Sequence, residues 1–135
     1  MKTKPCLTLE DTDRMLAAAR VLATERGFAV TIAVADDGGH LLGLLRLDGA
    51  APVSAAIAVS KARTAALGRR ESKVYEDMVN GGRTAFVTAP LIDGLLEGGV
   101  PVLVEGECVG AVGVSGVKSS EDAEVARAGI AAISA

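Results

Sequence analysis

The chain lacks tryptophan and holds three aromatic residues in 135, Phe28, Tyr75 and Phe86. Alanine, valine and leucine must therefore fill the core. Small side chains let helices approach a sheet closely, but each buries little area. At roughly 25 cal/mol per Å² of apolar surface, such a core gains stability slowly. Burial between copies is expected to supplement it, so the chain is read as a homo-oligomer. Histidine occurs once, as His40, and cysteine twice, as Cys6 and Cys108. That set cannot supply a zinc constellation or a disulfide framework. Cys108, in an apolar run, reads as a small core residue, and Cys6 as incidental. No apolar run approaches the ~18 residues of a membrane span, and Met1–Pro5 lead into an acidic segment without the apolar stretch of a signal peptide. A cytoplasmic protein with no membrane partner is expected. Net charge is −3 and no basic block appears, which argues against nucleic-acid binding. The densest basic stretch, Lys61, Arg63, Arg69, Arg70 and Lys73, is diluted by Glu71 and reads as a solvated face. Neither a Walker loop nor a G-x-G-x-x-G turn between strand and helix is present.

What is present is a clear alternation of periods. Thr8 and Asp11 resemble a capping box, and apolar residues then recur at helical spacing until Gly27, giving a helix over 9–26. Phe28–Ala35 is short, β-branched and apolar, as in a buried strand. Asp36-Asp37-Gly38-Gly39 is a strong turn signal, and His40–Leu47 reads as the returning strand. Strict alternation puts His40, Leu42, Leu44 and Arg46 on one face of it. Pro52 opens an alanine-rich helix over 53–67, with Val53, Ile57, Ser60, Thr64 and Leu67 as its stripe, Lys61 at the border and Gly68 as the stop. A short helix over 72–80 and an irregular stretch over 83–99 follow. Residues 100–104 and 107–114 form a second hairpin, and Ser119 with Asp122 starts a final helix over 120–133. Residues 1–7 are expected to be a flexible N-terminus and 8–135 a single domain. Two hairpins without strand–helix–strand crossovers imply an α+β fold with a mostly antiparallel sheet.

Several of these segments together resemble one family. Asp36-Asp37-Gly38-Gly39-His40-Leu41-Leu42, Arg46-Leu47-Asp48-Gly49-Ala50 and Ile57–Ala65 match the GlcG/HbpS haem-binding-like family, similar to the C-terminal domain of PduO-type proteins. So do Glu97–Val102, Gly110–Gly116 and Asp122–Gly129, in order and with similar spacing over about residues 7–133. The resemblance implies a profilin-like layout, an antiparallel sheet of about five strands flanked by helices in a three-layer α/β/α arrangement. It also implies dimers, tetramers or octamers, and a connection with haem in some members. Fold alone does not settle function.

His40, after two glycines, can ligate haem iron or act as a general base, and it is the only candidate metal ligand. Arg46 shares its face in strict alternation but lies six residues on, about 20 Å away. Lys61 can bind a carboxylate or haem propionate, or serve as a base or nucleophile if its amine faces the sheet. Arg63 points elsewhere and reads as a surface or subunit contact. Glu97 is a candidate acid or base, while Gly38, Gly39, Gly98 and Gly99 offer backbone N–H groups and close approach to a ligand. Ser115, at the end of the last strand, is a further candidate ligand contact. Glu121 and Glu124 fall in the first turn of the last helix, where acids complement the helix dipole. The leading reading is a small-ligand-binding protein for haem or a related tetrapyrrole, with haem the one cofactor in view. The alternative is a cofactor-independent enzyme of small-molecule metabolism, with His40, Lys61 and Glu97 as catalytic residues moving a proton on an anionic or oxygenated metabolite. A non-catalytic accessory subunit is the third. A pocket within one chain, or one shared between two, fits the sequence equally well.

Overall fold

A computed structural model describes residues 1–134 of the chain. Helix α1 spans Leu9–Arg26, strand β1 Thr31–Asp36, β2 Leu41–Arg46, helix α2 Val53–Gly68 and α3 Ser72–Asn80. A 3-10 turn over Thr84–Thr88, strands β3 (Gly99–Val104) and β4 (Glu107–Ser115), and helix α4 (Ser119–Ala131) complete the order. The α1 boundaries follow from capping chemistry. Thr8 Oγ1 accepts from the Asp11 N–H at 3.2 Å, and Asp11 Oδ2 accepts from the Thr8 N–H at 2.9 Å. Gly27, at φ 68°, ends the helix in the left-handed region that glycine enters without strain.

Among the described residues the sheet has four strands, not five, in the order β2-β1-β4-β3 with every neighbour antiparallel. Its two faces bury different residues. Ile32, Val34, Val102, Val112 and Val114 pack with Met15, Leu16 and Ala19 of α1 and Val125 and Ala126 of α4. Each fully buried valine or isoleucine there contributes about 1.5–3 kcal/mol. On the other face Ala33 and Ala35 lie under Ala58 and Ala62 of α2, and Ala111 lies under Ala65 and Ala66. Helices thus cover both faces, and the core is aliphatic throughout.

Of the α2 stripe that its periodicity suggests, only Thr64 is fully buried. Val53 is 60% exposed, whereas Ser54, Ala58, Lys61, Ala62 and Ala65 are buried. The reason is distance. A methyl group on Gly113 would strike the Ala58 carbonyl and stand 2.5 Å from the Ala62 nitrogen. Backbone meets backbone here, so the α2 residues over Gly113, Ala58 and Ala62, are small. Lys61 therefore sits inside the contact face, not on its border. Nor does Gly68 close the helix. Arg69 takes the left-handed position at φ 58°, while Gly68 is small because the Tyr75 ring occupies the space its side chain would fill.

A second departure concerns β2. Val34 pairs with Gly43 but Ala35 pairs with Leu41, so Leu42 is an extra residue in the strand. The bulge breaks the two-residue alternation, so the shared face expected for His40, Leu42, Leu44 and Arg46 does not run through to His40. His40 itself belongs to the turn, where its carbonyl accepts from the Asp36 N–H at 2.9 Å.

Candidate functional site

The predicted residues fall into two groups at opposite ends of the sheet. Thr31 pairs with Ser115 at one end, and Asp36 with Gly110 at the other. His40 lies at the Asp36 end and the Lys61 amine at Val114, some four residues or about 14 Å of strand away.

At the Lys61 end the geometry is closed. Lys61 is 2% exposed, and its Nζ donates to the Val114 carbonyl at 2.9 Å and to Asp122 Oδ2 at 3.1 Å. Asp122 is equally buried, and its second oxygen accepts from the Val117 N–H at 3.2 Å. Burial pushes the Asp122 carboxyl above the usual carboxylate range, and the Lys61 ammonium opposes that rise. Gly98, at φ 132°, has no room for a side chain, since a methyl group would stand 2.7 Å from both Lys61 Nζ and the Val114 oxygen. A methyl group on Gly99 would collide with the Lys61 carbonyl, and the Gly99 N–H donates to Ser72 Oγ at 2.8 Å. The glycine pair thus admits lysine and backbone, and the space that a ligand would need is filled by protein. Glu97 is half-buried, and its N–H donates to Glu76 Oε2 at 2.9 Å. Ser115 is buried opposite Thr31, whose hydroxyl pairs with Ser54 Oγ at 2.8 Å.

At the His40 end the geometry is open. The His40 side chain is 83% exposed, and its Nδ1 lies 3.3 Å from Asp36 Oδ1. That oxygen also accepts from the N–H groups of Gly38 and His40, each at 2.9 Å, and so fixes the turn. Nε2 has no hydrogen-bond partner among the described residues. Gly39, at φ 80°, lets the turn lie on α2, where a methyl group would stand 2.9 Å from Arg63 Cγ and 3.3 Å from Leu67 Cγ. Asp37 is bound from two sides. Lys4 Nζ reaches its carboxylate at 2.6 Å, and Arg69 donates to its carbonyl. The Lys4 hydrogen bond holds the Asp37 carboxyl below its usual range, and the Arg69 charge adds to the effect. Lys4 also donates to the Cys108 carbonyl at 3.2 Å, and Leu7 packs against the main core, so residues 4–7 lie along the sheet end. Leu41 and Leu42 beside His40 are 50% and 38% exposed.

Arg46 joins neither group. Its guanidinium donates twice to the Ala50 carbonyl, at 3.0 and 3.3 Å, which ties down the loop before α2. Glu121 accepts from the Lys118 N–H at 3.3 Å, and Glu124 pairs with Arg26 at 3.1 Å. Sequence reasoning missed Asp122 as the partner of Lys61. The signal was a lysine among small residues on a buried face, which requires a counter-charge from elsewhere in the chain. Two surface cavities have volumes of about 380 Å³ each. Neither is lined by His40 or Lys61. No group of three or more His, Cys, Asp or Glu able to hold a metal ion occurs among the described residues. No helix among them is long and apolar enough to cross a membrane.

An antiparallel four-stranded sheet with helices on both faces and an exposed histidine turn defines a small α+β domain. Comparison with known proteins gives that class its family. Residues 7–131 match the family described as haem degrading protein HbpS-like. The protein GlcG of Escherichia coli K12 is 60% identical over 115 residues, 85% of each chain. The crystal structure of HbpS superposes with a TM-score of 0.90 at 32% identity, covering 100% of this chain and 95% of that one. The crystal structure of a PduOC:heme complex superposes at 0.88 with 25% identity, covering 96% of each. The chain belongs to the HbpS-like family.

Proposed function

We propose that the β1–β2 turn binds haem or a related tetrapyrrole, with the His40 imidazole as the group that would hold its iron. The observation that carries this reading is the His40 geometry: an imidazole 83% exposed, with Asp36 beside Nδ1 and Nε2 without a hydrogen-bond partner among the described residues. A carboxylate behind one ring nitrogen is the usual means of orienting a histidine that ligates metal through the other. The surroundings fit a porphyrin edge, since Leu41 and Leu42 offer apolar surface beside the ring. Gly39 lets the turn lie close on α2, and Gly38 leaves room for the His40 ring beside Asp36. Membership of the HbpS-like family and the likeness to a haem complex support the same ligand class. When bound, haem supplies iron that exchanges ligands and electrons; the chain's own part is to bind and orient it. One chain covers a single side of such a ligand, so the proposal includes a homo-oligomer, in the cytoplasm, in which a second copy shields the other side.

The proton-transfer alternative has no geometric support. It needs His40, Lys61 and Glu97 around one substrate, and the fold encloses Lys61 and holds it about 14 Å of strand from the histidine turn. Hemin titration tests the binding reading. The wild type is expected to give a saturable Soret spectrum of a histidine-ligated species, and His40→Ala to lose it with circular dichroism unchanged. An identical spectrum from His40→Ala, or no saturable spectrum from the wild type, overturns the assignment.

A further inference from the structure

If a tetrapyrrole binds at His40, its acidic groups need a cation, and the two expected from the sequence are spent. Lys61 is enclosed by Asp122 and Val114, and Arg46 is turned to Ala50 at the far end of β2. Around the His40 turn itself stand three cations. Lys4 is held by Asp37 and the Cys108 carbonyl, and Arg69 by the Asp37 and Ala66 carbonyls. The third, Arg63, differs. Its stem runs beneath Gly39, the residue before His40, and its side chain is 33% exposed. Its guanidinium forms a loose ion pair with Asp93, at 3.8 Å too long for a hydrogen bond and with the acid well exposed. No hydrogen bond ties its guanidinium among the described residues. Leu67, 36% exposed, packs against the same glycine.

We infer that Arg63 is the anion-receiving group of the His40 site and takes a carboxylate of a flat, acid-bearing ligand of the tetrapyrrole class. This rests on the ligand class proposed above, but not on iron ligation. A guanidinium presents a planar fork that matches a carboxylate with two parallel hydrogen bonds. Packing of the Arg63 stem under the turn fixes where that fork emerges, so little side-chain freedom is lost on binding. Leu41, next to His40, and Leu67, against Gly39, add exposed apolar surface near the turn.

Metal-free protoporphyrin IX and its dimethyl ester separate this inference from the first, because neither carries iron and only the acid carries charge. Binding is read by porphyrin fluorescence. The wild type is expected to favour the acid by ~10-fold or more, the range of a charge-assisted hydrogen bond. Arg63→Met, which keeps the stem, should bring the two within ~2-fold, and Arg63→Lys should restore part of the preference. Arg46→Met should leave it intact. Equal affinity of the wild type for acid and ester overturns the role of Arg63 alone, as does an undiminished preference in Arg63→Met. Failure of every porphyrin to bind overturns the ligand class and this inference together. A lost Soret shift in His40→Ala with the acid preference intact supports both.

Discussion

Lys61→Met removes one charge of a buried pair and keeps most of the side-chain volume. Asp122 is then left in the interior with only the Val117 N–H as partner, and the Val114 carbonyl loses its lysine donor. Removing one member of a buried pair costs about 3–5 kcal/mol, since the remaining charge keeps its desolvation penalty without the attraction that offset it. Against a total of about 5–15 kcal/mol for a domain, that is roughly a fifth of the stability or more. At roughly 4 °C per kcal/mol for a chain of this size, Tm should fall by ~12–20 °C. Urea unfolding of Lys61→Met, Asp122→Leu and the double variant closes a thermodynamic cycle. The double variant should be more stable than the sum of the single losses predicts, by ~2 kcal/mol or more, because a buried pair exchanged whole for apolar groups is often nearly neutral. It should not fully recover, as the Val117 N–H and the Val114 carbonyl each lose a partner. A loss below about 1 kcal/mol in Lys61→Met would refute the premise that this amine is enclosed, and would reopen Lys61 as a ligand contact.

Other outcomes follow from the same contacts. The Asp122 carboxyl is raised in the folded state, so the folded chain binds its proton more tightly than the unfolded chain does. Its contribution to stability is fully present below the unfolded value and is lost as pH rises through the folded one. Comparing urea midpoints of wild type and Asp122→Leu from pH 4 to 8 should show this slope in the wild type only. Asp37 is lowered, so its contribution runs the other way and fades as pH falls through its folded value. Asp37→Asn should flatten the acid limb of the stability curve. Gly113→Ala should be among the most damaging single changes, because its methyl group meets α2 backbone that cannot yield; a Tm within ~2 °C of wild type would contradict the close approach of α2 to β4. Thr8→Ala, measured by urea denaturation, should cost about 1 kcal/mol through the lost α1 cap.

Most of the architecture was legible because its signals are local. The α1 cap, Gly27, the Asp36–Gly39 turn and the apolar runs of the hairpins each follow from a few adjacent residues. The errors share a different cause. The buried face of α2 is set by how near its backbone comes to Gly99 and Gly113, a distance no helical period encodes. Large apolar residues are therefore turned outward and a lysine inward. The bulge at Leu42 is equally silent, since a strand with one added residue has the same composition as one without. Lys61 and Asp122 stand 61 positions apart, and only the fold brings them together.

The polar residues singled out in the sequence thus do two separate tasks, and the difference is visible in how their bonds are spent. At the Lys61 end the polar groups face one another: ammonium to carboxylate, glycine N–H to Ser72, Thr31 to Ser54. Nothing there is left for a ligand, and a change acts on folding. At the histidine turn Asp36 spends its oxygen on the backbone that holds the turn, and Asp37 is bound by Lys4 and Arg69. The groups with hydrogen-bonding capacity left over are Nε2 of His40 and the guanidinium of Arg63, which has only a loose ion pair with Asp93. His40 lies on an exposed turn, and the Arg63 guanidinium reaches the surface from α2, outside the core clusters. Their removal should therefore leave stability within ~0.5 kcal/mol while abolishing or reshaping ligand binding. A joint loss of stability and binding in His40→Ala or Arg63→Met would mean that the turn itself, and not its free side chains, carries the function.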